Sequence, residues 1–340
     1  MTQTLQALSI GAKAHELLGG SDRRWAVLAS VSGAIYIESN REEVLWIARS
    51  RSALHGRAIL VPHLSSKRPE PGVPCNVRDG HLGIGDDLAV DLGDAAVWQP
   101  APAAPGQGGV AEWSSKLADA VNRAALQTDS RGFFIHAARV GLTAASSSLH
   151  HGMGAALSSA VRKGVAALCQ VSSGSGLPDG LESAMGLVGL GEGLTPSGDD
   201  FLGGFLFALR VLDRVSPITL GIDWHGVEAW LQRIKPLTNK ISFAVLADHA
   251  RGQAAEPLWS FLRGVLAEAS QQQLVQAALH AARIGHTSGW DMLGGVHCGS
   301  SVAARMVEGS SQPGNCQCVV AARHGANSHT RCRKEVVRVC

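Results

Sequence analysis

From Trp25 to Trp98 the apolar residues come in short runs broken by turn formers. Trp25–Val31, Ala34–Ile37, Val44–Ile47 and Ala58–Val61 are β-branched or aromatic runs, most of them bounded by Gly, Asn, Asp or Pro, and each predicts a strand. Leu82–Ile84 and Leu88–Leu92 predict two more. No helix-length periodic segment separates them. That argues against a parallel βαβ sheet and for a small antiparallel barrel or sandwich.

Residues 99–111 contain Gln99-Pro100-Ala101-Pro102-Ala103-Ala104-Pro105-Gly106 and read as a linker. Beyond Glu112 the period becomes that of helices. Trp113, Leu117, Val121 and Ala124 form one stripe, and Leu157, Val161, Val165 and Leu168 another. Trp224, Val227, Leu231 and Ile234 make a third; Leu258, Phe261, Leu262, Val265 and Leu266 a fourth; Gln271–Ile284 is helical by propensity. The chain is therefore expected to be α+β, with a β-rich domain over 1–98 and a mainly helical domain over 112–299. After Gly299 periodicity fades, and residues 300–340 read as a loose tail rich in Cys and Arg. Cys316, Cys318, His324, His329 and Cys332 are zinc-ligand types, but their spacing fits no common zinc module.

Composition narrows the function class. A chain of 340 residues with 45% hydrophobic and 17% charged positions suits a globular enzyme, not a disordered chain. A formal charge of +2 gives no electrostatic footprint for nucleic acid. No apolar run approaches the roughly 20 residues that cross a bilayer, and Met1–Gly11 lacks the pattern of a signal peptide. Cysteines are sparse before Cys298, so a cytoplasmic protein without disulfides is expected.

The candidate chemistry lies in a phrase written twice. Gly193-Leu194-Thr195-Pro196-Ser197-Gly198-Asp199-Asp200-Phe201-Leu202-Gly203-Gly204 returns as Gly285-His286-Thr287-Ser288-Gly289-Trp290-Asp291-Met292-Leu293-Gly294-Gly295 once Pro196 is removed. Each copy predicts a helix start: Pro196 suits the first helical position, and Ser197 with Asp200, like Ser288 with Asp291, has capping-box spacing. Hydroxyls and free N–H groups at helix N-termini make a cradle for an anion. Thr195, Ser197, Gly198, Thr287, Ser288 and Gly289 are its candidate residues, with Thr238 and Asn239 at a further polar helix start. The plain alternative is that all of them only cap. His286, Asp200 and Asp291 are candidates for moving protons. Carboxylates beside an anion conflict with it, a conflict that Mg²⁺ held by Asp199, Asp200 or Asp291 would resolve; no metal or cofactor is assigned. Gly189-x-Gly191-x-Gly193 is no dinucleotide loop, since Leu181, Ala184, Met185 and Val188 predict a helix before it where a strand is needed.

Three phrases, Gly189–Asp200, Thr238–Ser242 and Gly285–Asp291, together resemble the AllH-like family, which includes the third subunit of a bacterial oxamate carbamoyltransferase. The likeness runs over roughly Trp25–Val296 and is firmest from Leu187 onward. It implies a cytosolic subunit of purine-breakdown chemistry, in which oxalurate and phosphate are exchanged for oxamate and carbamoyl phosphate. It also implies partner subunits, one of them FdrA-like. It carries no catalytic residues over to this chain. The expected function is thus carbamoyl transfer by a multi-subunit complex acting on a small anionic substrate. The alternatives are a non-catalytic ligand-binding or assembly subunit, and a Mg-dependent hydrolase or phosphotransferase.

Overall fold

The computed structural model describes residues 2–20, 23–64, 68–102, 108–128, 155–171 and 176–310. The zinc-type residues of 300–340 lie outside them.

Strands β1 (Gln3–Gln6), β2 (Ser9–Gly11), β3 (Trp25–Val31), β4 (Ala34–Ser39), β5 (Val44–Ala48), β6 (Ala58–Leu60), β7 (Pro74–Arg78), β8 (His81–Ile84), β9 (Leu88–Asp91) and β10 (Ala96–Trp98) form one sheet in the order β1-β9-β8-β7-β3-β4-β5-β6-β2-β10. Only Ala7 and Leu8 separate β1, at one end of that order, from β2, near the other. Two residues reach at most about 7 Å, so the sheet must curl until its ends meet. Consecutive amides mark the seam: Ala7 N–H donates to Asp91 and Leu8 N–H to Leu60, at 2.9 and 2.8 Å. The interior is filled by alternate residues such as Ile35, Ile37, Leu45, Ile47, Ile59 and Val90. The sheet is largely antiparallel, as expected, but β1/β9, β2/β10 and β5/β6 pair in parallel. The first two follow from β1 and β2 bridging the ends, and the third from a short crossover through a 3₁₀ turn at Arg51–Ala53.

A short helix α1 (Ala12–Leu18) follows β2, and the other helices make the second layer: α2 (Val110–Gln127), α3 (Ala155–Cys169), α4 (Leu177–Ser183), α5 (Ser197–Val215), α6 (Trp224–Ile234), α7 (Lys240–Ala250), α8 (Glu256–Leu266), α9 (Gln271–Ala281) and α10 (Ser288–Ser310). The stripes read from sequence face their core: Trp113, Leu117, Val121, Ala124, Leu231, Phe261 and Leu266 are all fully buried. Helix α5 is the axis, buried at nearly every position from Gly198 to Leu212. Helix α10 runs to Ser310 and buries Val302, Ala303 and Met306, so it continues past the boundary expected at Gly299. The apolar positions there, Val302, Ala303 and Met306, are too few to stand out from the polar residues around them.

The two layers meet along α7. The outer face of β4–β6, with Tyr36, Val44, Trp46, Ala48 and Ala58, packs on Ile241, Ala244 and Val245. Beneath lies an ion cluster. Asp248 on α7 accepts from Lys13 at 2.9 Å and from Arg57 at 2.5 and 3.0 Å. Burial works against its charge, but Arg57 and, more weakly, His55 and Lys13 hold Asp248 well below the usual carboxylate range.

Candidate functional site at two adjoining helix starts

Both copies of the repeated phrase begin helices, and they do so the same way. Gly198 N–H donates to Leu190 at 2.8 Å and Gly289 N–H to Ile284 at 2.9 Å. A Cβ on Gly198 would collide with the Leu187 carbonyl oxygen, and one on Gly289 with that of Ala281. The amides of Asp199 and Asp200 return to Pro196; those of Trp290 and Asp291 return to Thr287. Pro196 and Thr287 thus hold equivalent places, Pro196 one residue before the first helical position expected for it. No side chain caps α5, so the capping box predicted at Ser197 does not form there. The amides of Gly198 and Gly289, candidates for an anion, are spent on these carbonyls.

The copies lie side by side and parallel. Gly204 packs against the Met292 carbonyl and Gly295 against the Phe201 carbonyl, positions that correspond in the repeat; Gly299 repeats the contact one turn on, against Phe205. The reciprocity sets the two helix starts together: Thr195 Oγ1 and Ser288 Oγ are 3.1 Å apart. Two N-terminal dipole ends therefore converge on one place, a potential that favours an anion.

Asp200 lies directly beneath, 3% exposed and hydrogen-bonded to the hydroxyls of Ser288 and Thr195. Burial drives its pKa well above the carboxylate range, Asp291 and Asp199 add to the shift, and the two hydroxyls oppose it. One of its oxygens, Oδ2, has no protein partner. The raised pKa favours the neutral carboxyl, which lessens the conflict between carboxyl groups and an anion without a metal. Asp199 is turned elsewhere: it accepts from Gly189 N–H at 2.8 Å, from Ser242 Oγ at 2.6 Å, and from Thr238 Oγ1. Asn239 accepts from the amides of Ile241 and Ser242 and caps α7. Among the described residues no group of three or more His, Cys, Asp or Glu is arranged to hold a metal ion.

Thr195, Ser288 and His286 open onto a cavity of about 720 Å³ between the sheet and the helices. Its rim carries exposed Arg49, Arg283 and His286, its floor buried Trp46, His55, His249 and Met292. No Asp or Glu lines it. Ser197, Gly198, Asp200, Asn239, Thr287, Gly289 and Asp291 are not among its lining residues, and Thr238 lines a separate cavity of about 550 Å³ with Lys13, Arg57, Lys235 and Lys240. Tyr36 lines the large cavity too; burial, then the nearby Asp200, raises its phenol.

Sequence reasoning missed Tyr36, Arg49, His55, His249 and Arg283. For Tyr36 a signal existed: it pairs across the sheet with Trp46 on the face that an alternating strand would leave to solvent. For His249 the signal was Asp248-His249 within the otherwise apolar run Ile241–Ala250.

No curated protein and no solved structure matched the chain. Residues 187–300, from the loop that cradles Gly198 through both helix starts, match the family described as oxamate carbamoyltransferase subunit AllH, so this part of the chain is AllH-like.

Proposed function

We propose that the chain is a carbamoyltransferase subunit that binds a small anion, phosphate or carbamoyl phosphate, at the paired starts of α5 and α10. The observation that carries this reading is the Thr195–Ser288 hydroxyl pair, 3.1 Å apart on two converging helix N-termini, in a cavity with Arg49 and Arg283 and no carboxylate on its walls. The family match supplies the reaction class. In the forward sense a phosphate oxygen attacks the carbamoyl carbon of a ureido acid such as oxalurate. The C–N bond then breaks, the amide nitrogen takes a proton, and carbamoyl phosphate and oxamate separate. The hydroxyls and arginines hold the phosphate and the tetrahedral oxyanion. His286 at the rim and protonated Asp200 behind Ser288 are the proton donors, with Asp291 beside Asp200. Ser197, Gly198, Thr287 and Gly289 shape the two helix starts, and Thr238 and Asn239 the start of α7.

The match to a subunit family favours a complex with partner subunits, one of them FdrA-like, in the cytoplasm. The magnesium-dependent reading loses support because Asp199, its third carboxylate, is committed to Gly189, Ser242 and Thr238. Carbamoyl phosphate formation from oxalurate and phosphate, by the chain co-expressed with its partner subunits, tests the proposal. Ser288→Ala and Thr195→Ala should each lower turnover at least about tenfold, the equivalent of one charge-assisted hydrogen bond. Unchanged turnover in both variants would refute the site. Binding of phosphate without any turnover in the full complex would favour the non-catalytic subunit.

A further inference from the structure

The floor of the same cavity holds two imidazoles that the anion site does not use. His249 is 1% exposed and His55 2%. His55 Nδ1 accepts the Arg57 backbone N–H at 3.2 Å, which places its own proton on Nε2. That Nε2 has no partner, and neither ring nitrogen of His249 has one. Leaving a buried polar group unbonded costs about 1–3 kcal/mol. At His249 no hydrogen bond offsets that cost, and at His55 only Nδ1 is used. The rings are also held in position. His249 rests on Gly203, where any side chain would displace it, and on Phe207, with ring centroids 5.9 Å apart. His55 stacks on Trp46 at 5.1 Å.

We infer that His55 and His249 form a second subsite, one that takes an uncharged carboxamide or ureido group of the substrate by hydrogen bonds. Both rings are neutral at physiological pH: burial pulls His55 down to about 4 and His249 to about 3, and Asp248 only partly opposes it. A neutral imidazole offers one donor and one acceptor. His55 has its Nε2–H donor left to offer and His249 both a donor and an acceptor, which together complement a group that carries both C=O and N–H. A carboxylate or phosphate there would leave the His249 acceptor nitrogen without a donor, the His55 acceptor being already bonded to the Arg57 N–H. It would also be desolvated without a free cation, because the Arg57 guanidinium is spent on Asp248 and the Val44 carbonyl. Gly203 lies six residues beyond Ser197, so the floor sits about 9 Å along α5 from the hydroxyl pair. The cavity therefore sorts its contents, anion at the rim and amide at the floor. This inference rests on the proposed function, which makes the cavity the substrate site.

Two probes of equal size separate the subsites: oxamate, with one carboxylate and one carboxamide, and oxalate, with two carboxylates. Calorimetric titration of the complete protein with each, and with inorganic phosphate, should show oxamate at least about tenfold tighter than oxalate. His249→Leu should abolish that preference and leave phosphate affinity within about twofold, whereas His249→Gln, which keeps a donor and an acceptor, should retain most of it. Oxalate binding as tightly as oxamate, or an unchanged preference in His249→Leu, would overturn the subsite while phosphate binding left the anion site standing. Absence of phosphate binding to the wild type would instead remove the anion site, and this inference with it. If His249→Leu does not fold, imidazole ¹⁵N shifts decide: oxamate should perturb His55 Nε2 and a His249 nitrogen, and no perturbation would overturn the assignment.

Discussion

Replacing Gly204 by alanine tests whether the reciprocal glycine contacts hold the two helix starts together. A Cβ at Gly204 would lie 2.8 Å from the Met292 carbonyl carbon and 2.9 Å from its Cα, and nearer still to the oxygen. Carbon atoms settle at about 3.5–4.0 Å, so α10 must retreat by about 1 Å, and both partners are backbone within long helices. Overpacking of this kind costs about 1–3 kcal/mol, with rigid backbone at the upper end. Alanine returns about 1 kcal/mol through helix propensity. The net loss should be about 2 kcal/mol, read as a lower urea midpoint at constant slope. The same retreat would stretch the 3.1 Å Thr195–Ser288 hydrogen bond past its useful range, so phosphate affinity should fall as well. Gly186→Ala is the control, because Gly186 is exposed and a Cβ there meets nothing within 4 Å; its stability should stay within about 0.5 kcal/mol. A Gly204→Ala protein as stable as wild type, with phosphate affinity unchanged, would refute the close-packed helix pair.

Asp248→Asn leaves Arg57 buried beside a neutral amide and should cost about 3–5 kcal/mol in urea unfolding; a loss under 1 kcal/mol would show that the cluster contributes little. Between pH 6.5 and 5 the unfolded chain protonates His55 and His249 while the folded chain does not, so stability should fall with acid by two protons. Asp200 opposes this, because its raised pKa favours proton binding by the folded state. Asp200→Asn should therefore steepen the fall and His249→Gln flatten it; stability that rises with acid across this window would contradict the assignments. A chain ending at Gly299 loses buried Val302 and Met306 and should be destabilised by about 3–6 kcal/mol, whereas an unchanged midpoint would mean that the end of α10 is not part of the core.

The α+β division and most elements were legible because their signals are local. Strand alternation at Ala34–Ile37 and the stripe of Trp113, Leu117 and Val121 depend only on spacing. β1 and β2 were not legible, since Gln3–Gln6 and Ser9–Gly11 are strands only through partners far along the chain, such as Leu88 and Ile59. The candidate site was half legible. The repeat announced that two helix starts correspond, and their hydroxyls do meet. Whether a glycine serves a ligand or a neighbouring carbonyl cannot be read from spacing: Gly198 and Gly289 serve carbonyls. Nor could the sequence separate Asp199 from Asp200. Adjacent on α5, they point to different neighbours, one to Thr238 and Ser242 and the other to Thr195 and Ser288. Arg49, His55 and Arg283 reach the cavity only because the sheet docks on α7, a long-range event with no local trace.

The most direct test of the shared anion site is a crystal structure of the protein grown without phosphate and then soaked in it. One phosphate should lie at the starts of α5 and α10, with oxygens within about 3 Å of Ser288 Oγ and Thr195 Oγ1 and within reach of Arg283. Phosphate found only in the separate cavity lined by Lys13, Lys235 and Lys240, with the Thr195–Ser288 pair untouched, would contradict it.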